Sequence, residues 1–267
     1  MTSEVRGQGL HSAARSAVRF ERHEGPLAVC IGNTVLPLGE LVVVDTTRST
    51  TLASRDGRVC IGTVEHAFAA LGGLGIYDGV LVTFEGPEVP LADGGAAHFC
   101  DALACVGARA SVGPLLRVVR DSKIVVGASE YVFERGQEVC VEVDVDFHDA
   151  RLSRVARWNG DANDFRVRMA PARTFGFEHE VADLLARGLA SHVARESVVV
   201  IGKECIFSAG PFFLPDEPAR HKLLDLVGDM YLLGGPPLGK VRAYRPGHTA
   251  THAAMERALR DGIVAPA

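Results

Sequence analysis

His221 and Asp225 stand four residues apart in the stretch Arg220-His221-Lys222-Leu223-Leu224-Asp225. On a helix that spacing puts both on one face, and Asp229, four residues further on, stays near it. An imidazole and a carboxylate so placed can hold one metal ion and leave a third ligand to come from elsewhere. The pair Glu65-His66, which opens a predicted helix, is the obvious donor. Two histidines and one aspartate around zinc leave one coordination position open, the arrangement of a hydrolytic rather than a structural site. Neither pair follows the H-E-x-x-H spacing of common zinc proteases. A plainer reading stays open on spacing alone. A His-x-x-x-Asp on a helix is commonly a surface polar pair, and a glutamate in a first turn commonly serves the helix dipole. That both pairs lie in apolar helices favours a buried site.

Such a site needs a scaffold, and the chain is long enough to build one. Its 267 residues suffice for one large domain or two modest ones with a substantial core. The net charge is −5, from 28 basic and 33 acidic residues. That balance gives no basic footprint for nucleic acid and no polybasic patch for a membrane surface. No apolar run approaches the ~20 residues of a spanning helix, and the first residues lack a signal-peptide pattern. The expectation is a cytoplasmic enzyme that acts as a monomer on a small molecule, with no nucleic-acid partner and no integral membrane segment. None of the six cysteines (30, 60, 100, 105, 140 and 205) forms C-x-x-C, so they read as reduced core cysteines.

The elements that would position the site read as follows. Strands separated by Gly and Pro turns fill 15–45. A helix is predicted over 64–74, with Ala67, Phe68, Leu71 and Leu74 on its buried side. A strand follows at 79–85, a turn at Asp93-Gly94-Gly95, and a second helix over 96–108. The pattern then restarts, with strands at 115–126, 130–135, 138–146 and 164–169 and a helix at 179–189. Val198-Val199-Val200-Ile201 reads as a buried strand. The helix carrying His221 runs to about Leu233, where Gly234-Gly235-Pro236-Pro237 stops it. Lys240–Tyr244 is a last strand, and His248 begins a final helix. Each half has strands first and helices late, which predicts an α+β fold of two similar layers with the break near 110–115. Phe20, Phe84 and Phe133 read as core. His252, one turn beyond His248, has no convincing partner spacing.

The chain resembles the zinc-dependent UDP-3-O-acyl-N-acetylglucosamine deacetylases of lipid A biosynthesis. The matching segments are Gly9-Leu10-His11-Ser12, Thr63-Val64-Glu65-His66, Leu74-Gly75-Ile76, Asp93-Gly94, Ala172-Arg173-Thr174-Phe175-Gly176-Phe177, Arg220-His221-Lys222 with Asp225, Gly228-Asp229, and Tyr244-Arg245 through Gly247-His248. They occur in the family's order and cover almost the whole chain. The resemblance implies two α+β halves, 1–112 and 113–267, that sandwich their helices, each with a small insert. The second insert, about 178–207, would form an apolar passage for the substrate's acyl chain. It implies Zn2+ held by His66, His221 and Asp225, with Glu65 as general base, His248 as general acid and Asp229 as its orienter. Lys222 and Thr174 would sit beside the reacting carbonyl. Phe175 and Phe177 fall at positions resembling the family's substrate-contacting aromatics, and Lys222 also belongs to the implied substrate contacts. The implied reaction is removal of the N-acetyl group from an acylated UDP-amino-sugar.

Three departures from the family's pattern bear on the substrate-shaping parts. Ala190-Ser191-His192-Val193-Ala194-Arg195-Glu196 replaces a glycine-rich segment, which puts the usual passage in question. Phe147-His148-Asp149-Ala150 lacks a customary proline, and Ala13 stands where a glycine is usual. Two alternatives therefore remain at this stage: a related zinc deacetylase acting on a different acylated amino sugar or nucleotide sugar, and a zinc-stabilised binding or regulatory protein without catalysis. The intact Glu65 and His248 argue against the second, because holding zinc structurally needs neither.

Overall fold

The computed structural model describes residues 1–111, 115–180, 193–210 and 212–267. The architecture is α+β, built among the described residues on two larger sheets and two small ones. In the first larger sheet the spatial order is Thr2–Gln8, Arg15–Pro26, Asp78–Glu85, Ala28–Ile31 and Thr34–Pro37. All its neighbours are antiparallel except Ala28–Ile31 beside Asp78–Glu85. Strand alternation buries Val18 and Phe20 from one strand and Val80, Val82 and Phe84 from its neighbour on the same face.

The second larger sheet contains Ser122–Val126, Ser129–Asp144, Leu238–Tyr244, Leu116–Val118 and Val264–Pro266, with Val155–Trp158 paired to Ser129–Asp144. Glu130–Glu134 pair with Tyr244–Lys240 in descending register, whereas Cys140–Asp144 pair with Lys240–Tyr244 in ascending register. The long strand therefore folds back near 135–138 and embraces Leu238–Tyr244 from both edges. The two predicted strands at 130–135 and 138–146 correspond to its two arms.

Among the described residues the longer helices are α1 (Glu65–Gly73), α2 (Ala97–Cys105), α3 (Glu217–Tyr231) and α4 (His248–Arg260). Every residue of α1 is buried, the polar Glu65 and His66 included. It packs on α3 at a close crossing. A Cβ at Gly228 would overlap the Glu65 carbonyl, so only glycine lets the two backbones approach this far. That contact matters because Glu65 and His66 are on one helix and His221, Asp225 and Asp229 are on the other.

The two small sheets have three strands each. One is Leu41–Asp45, Thr51–Ser54 and Cys60–Ile61; the other is Thr174–Phe177, Val198–Ile201 and Ile206–Ser208. The helix expected at 179–189 lies mostly outside the described residues, as do Ala190, Ser191 and His192 of the altered segment.

Several expectations are corrected. Residues 164–169 are helical, not a strand: Ala162–Asp164 leads into a π-helical turn over Phe165–Met169. The Asp161 carboxylate accepts the Asp164 N–H at the turn's start, and Arg168 pairs with Asp164 four residues back. Phe165-Arg166-Val167-Arg168-Met169 alternates like a strand, but its buried residues are Phe165 and Met169, one helical turn apart. The single strand predicted over 115–126 is two, Leu116–Val118 and Ser122–Val126. All six cysteines are free, yet only Cys100 is buried; Cys60, Cys105 and Cys205 are exposed. Ala13 takes a φ of 56°, the left-handed region that favours glycine, which accounts physically for a glycine being usual there.

Candidate metal centre and its cleft

The second residue of α1 and two residues one turn apart on α3 meet in the interior. His66, His221 and Asp225 are all buried, and each offers a ligand atom within 4.8 Å of the others. His66 Nε2 and His221 Nε2 are each 3.5 Å from Asp225 Oδ1. The two rings meet edge to face with centroids 5.0 Å apart. Two donors bonded to one ion at zinc distances and tetrahedral angles lie about 3.3 Å apart. Donor types, burial and spacing therefore fit zinc. His221 Nδ1 lies 3.0 Å from the Ala172 carbonyl, which can only accept. Its proton is thus on Nδ1, and Nε2 turns its lone pair toward the cluster, the orientation a metal-ligating imidazole needs.

Burial disfavours charge on either ring. For His221 it dominates and pushes the ring down to about 4, keeping it neutral. For His66 the hydrogen bond and charge of Asp225 more than offset burial and raise it. Asp225 would be raised by burial, but the Lys222 charge above all holds it well below the usual carboxylate range. Lys222 Nζ donates to Asp225 Oδ2 at 2.8 Å and lies 5.9 Å from the Phe175 ring centroid.

A second cluster abuts the first. Glu65 is buried; its Oε2 accepts the Thr50 N–H at 3.0 Å and its Oε1 lies 3.9 Å from His248 Nε2. Burial raises the Glu65 carboxyl, and the neighbouring His248 and His66 only partly oppose this. His248, the first residue of α4, hydrogen-bonds through Nδ1 to Asp229 Oδ2 at 2.8 Å. Burial alone would lower His248, but the Asp229 charge and hydrogen bond outweigh it and raise the ring to about 10. Asp229 moves the other way, to about 2, because the charge and hydrogen bond of His248 overcome its burial.

Both clusters open into a cleft of about 1550 Å3. Thr174, Phe175 and Phe177 line it, as do Val198, Val200, Ile206 and Phe207 from the same small sheet. Val199 and Ile201 turn into the core, so strand alternation leaves Val198 and Val200 for the cleft wall. Phe175 meets His221 edge-on at 6.1 Å and Phe147 at 5.7 Å. His11, Arg48, Glu178, Glu180 and Arg195 add polar groups to the lining.

Every predicted site residue borders this cleft or, for Asp229, backs onto it through His248. Four supporting groups were not anticipated. Thr50 Oγ1 donates to Asp229 Oδ1 at 2.6 Å. Glu88 accepts from His11 N, Ser12 N and Thr63 Oγ1, tying the Gly9-Leu10-His11-Ser12 turn to the residue that leads into α1. Thr63 itself has a φ of 56°, rare for a β-branched residue. Arg173 pairs with Glu217 at 2.7 Å, both buried, and donates to the Glu196 and Ala209 carbonyls. It therefore clamps the second small sheet to the start of α3. His252 Nε2 is 3.3 Å from Asp229 Oδ1. Only His252 carried a local signal: four residues after His248, it had to share that residue's helix face.

The family described as UDP-3-O-acyl N-acetylglycosamine deacetylase matches residues 1–260. A UDP-3-O-acyl-N-acetylglucosamine deacetylase of Myxococcus xanthus (strain DK1622) is 34% identical over 268 residues, covering 97% of this chain and 84% of the relative. The protein of the same name from Syntrophotalea carbinolica is 37% identical over 268 residues, covering 96% and 85%. That of Brucella ovis is 37% identical over 216 residues, covering 79% and 74%.

Proposed function

The chain belongs to the UDP-3-O-acyl N-acetylglycosamine deacetylase family, and on that premise we propose that His66, His221 and Asp225 hold a catalytic zinc ion while Glu65 and His248 move the protons. The protein is a hydrolase that removes the acetyl group from UDP-3-O-acyl-N-acetylglucosamine in lipid A biosynthesis. The observation that carries the assignment of residues is the meeting of a two-histidine, one-aspartate cluster with a carboxylate and an imidazole facing each other beside it.

Bound there, zinc supplies Lewis acidity, polarising a carbonyl and making water acidic enough to attack near neutral pH. The rest falls to the chain. Glu65, held by the Thr50 N–H and raised by burial, takes the proton of the attacking water. The water oxygen bonds to the acetyl carbon, and Lys222 faces the negative charge developing on the carbonyl oxygen. Thr174, on the cleft wall beside it, offers a hydroxyl to the same carbonyl. His248, held protonated by Asp229, gives its Nε2 proton to the amide nitrogen as the C–N bond breaks. Acetate and a free amine leave. Phe175 and Phe177, with the apolar strand wall, receive the acyl chain. The two-half division at 112/113 belongs to the proposal, as do a monomeric working unit and a cytoplasmic location. No helix among the described residues is long and apolar enough to cross a membrane, and the UDP portion makes the substrate partly water-borne.

The test is turnover of zinc-loaded protein on the acylated UDP sugar, with the un-acylated UDP sugar alongside. Amine release from the first and little from the second supports the reading; equal rates on both remove the acyl wall from it.

A further inference from the structure

Asp229 serves more partners than a simple orienter needs. Its Oδ2 accepts from His248 Nδ1 at 2.8 Å, and its Oδ1 accepts from Thr50 Oγ1 at 2.6 Å. A second imidazole, His252, one turn along α4, approaches Oδ1 with Nε2 at 3.3 Å. His252 is 5% exposed, and its Nδ1 is buried with no hydrogen-bond partner among the described residues. An N–H at Nδ1 would be an unsatisfied buried donor, so the geometry assigns the proton to Nε2, pointed at Asp229.

We propose that His252 is a positioning residue for the proton donor His248, acting through Asp229: its Nε2–H holds Oδ1 in place and draws off part of the carboxylate's charge. This rests on the reading of His248 as the donor. An acid bound too tightly to its proton is a poor one, and catalytic groups work best with proton affinities near the working pH. Asp229 by itself pushes His248 strongly toward the cation. Each further donor on the carboxylate weakens that push, since a carboxylate already satisfied by hydrogen bonds has less charge to offer a third partner. The other charged groups acting on His248 are Glu65 on α1 and Asp225 on α3; Lys222 on α3 lines the same cleft, and Thr50 Oγ1 is 3.4 Å from Nδ1. Tyr131, from the second larger sheet, hydrogen-bonds Thr251 beside His252 at 2.9 Å. Of these, only Thr50 and His252 share Asp229 with His248 by direct contact, and only His252 sits on the same helix, so the two rings are held at a fixed separation.

The experiment compares His252→Leu, which removes the donor, with His252→Gln, whose side-chain N–H can reach the same oxygen without a titrating ring. In the zinc-loaded protein, His252→Leu should move the alkaline limb of kcat/KM up by about one pH unit, and His252→Gln should leave it near wild type. Nitrogen NMR of labelled histidines should show the His248 ring titrating higher by the same amount in the leucine variant. An alkaline limb that stays put or moves down in His252→Leu overturns the proposal, as does an equal shift in both variants. If His252→Leu does not fold, His252→Phe keeps a ring of similar size without the donor and carries the same expectations. The NMR titration does not need turnover. Failure of the deacetylase reading would show as no amine release with the His248 shift still present; failure of this inference would show as normal release with no shift.

Discussion

Glu65 Oε1 and His248 Nε2 face each other across 3.9 Å, although one opens α1 in the first half of the chain and the other opens α4 near its end. Burial raises the Glu65 carboxyl and Asp229 raises the His248 ring, so a base reluctant to stay charged confronts an acid that keeps its proton. This opposition is what amide hydrolysis needs, and it makes the two residues separable from metal binding.

Glu65→Gln and His248→Ala should each lower kcat and kcat/KM together by about 10²–10⁴-fold. Both should keep the fold and the zinc content of the wild type, since neither residue is in the ligand cluster. Steady-state kinetics and metal analysis on the same preparations check this. Near-normal turnover by His248→Ala would place the proton donor elsewhere.

The His248–Asp229 pair should also shape stability against pH. His248 is raised to about 10 from an ordinary value near 6.5. Its contribution is therefore full below about pH 6.5 and lost as pH rises toward 10. Asp229 is lowered to about 2 from near 3.9. Its contribution is present above about pH 4 and lost as pH falls toward 2. Denaturant unfolding across this range should show both losses, and Asp229→Asn should flatten both while lowering kcat by about 10²-fold. An unchanged pH profile in Asp229→Asn would mean the pair does not set it.

Arg173→Ala should destabilise by about 3–5 kcal/mol, because it leaves Glu217 buried without its partner. The loss would reach the site as well, since Arg173 joins Glu196 and Ala209 to the helix that bears His221. Chemical denaturation measures it, and a change under 1 kcal/mol would mean the clamp is dispensable.

The acyl-chain dependence should rise and then flatten. Enclosing each methylene gains about 0.8 kcal/mol, roughly fourfold in kcat/KM. Phe175, Val198, Val200 and Ile206 offer the apolar wall for that gain, but Arg195, Glu178 and Glu180 also line the cleft. A series of substrates from short to long acyl chains measures it. A steep rise continuing to the longest chain would show the passage is closed and dry despite the changed segment.

The shared face of His221 and Asp225 was legible in the sequence because a four-residue spacing on a helix fixes it whatever the tertiary fold, whereas the choice of His66 as their companion rested on the family resemblance. The strand–helix order was legible for the same reason: apolar periodicity is local. What could not be read were the contacts made across the chain. Thr50 reaches Asp229, and Glu88 reaches His11, from segments with no periodic pattern. The Arg173–Glu217 pair joins a motif residue to an acid 44 positions further along the chain, a separation at which local patterning carries no signal. Phe165–Met169 misled because alternation over five residues suits a strand and one helical turn alike.

The central claim, that a metal held by His66, His221 and Asp225 drives the deacetylation, is tested most directly by titrating zinc into metal-stripped protein while following amine release from UDP-3-O-acyl-N-acetylglucosamine. Activity should rise linearly and stop at one zinc per chain, and Asp225→Ala should neither retain zinc at that affinity nor regain activity. Full turnover by the stripped protein, or tight stoichiometric zinc binding by Asp225→Ala, would contradict it.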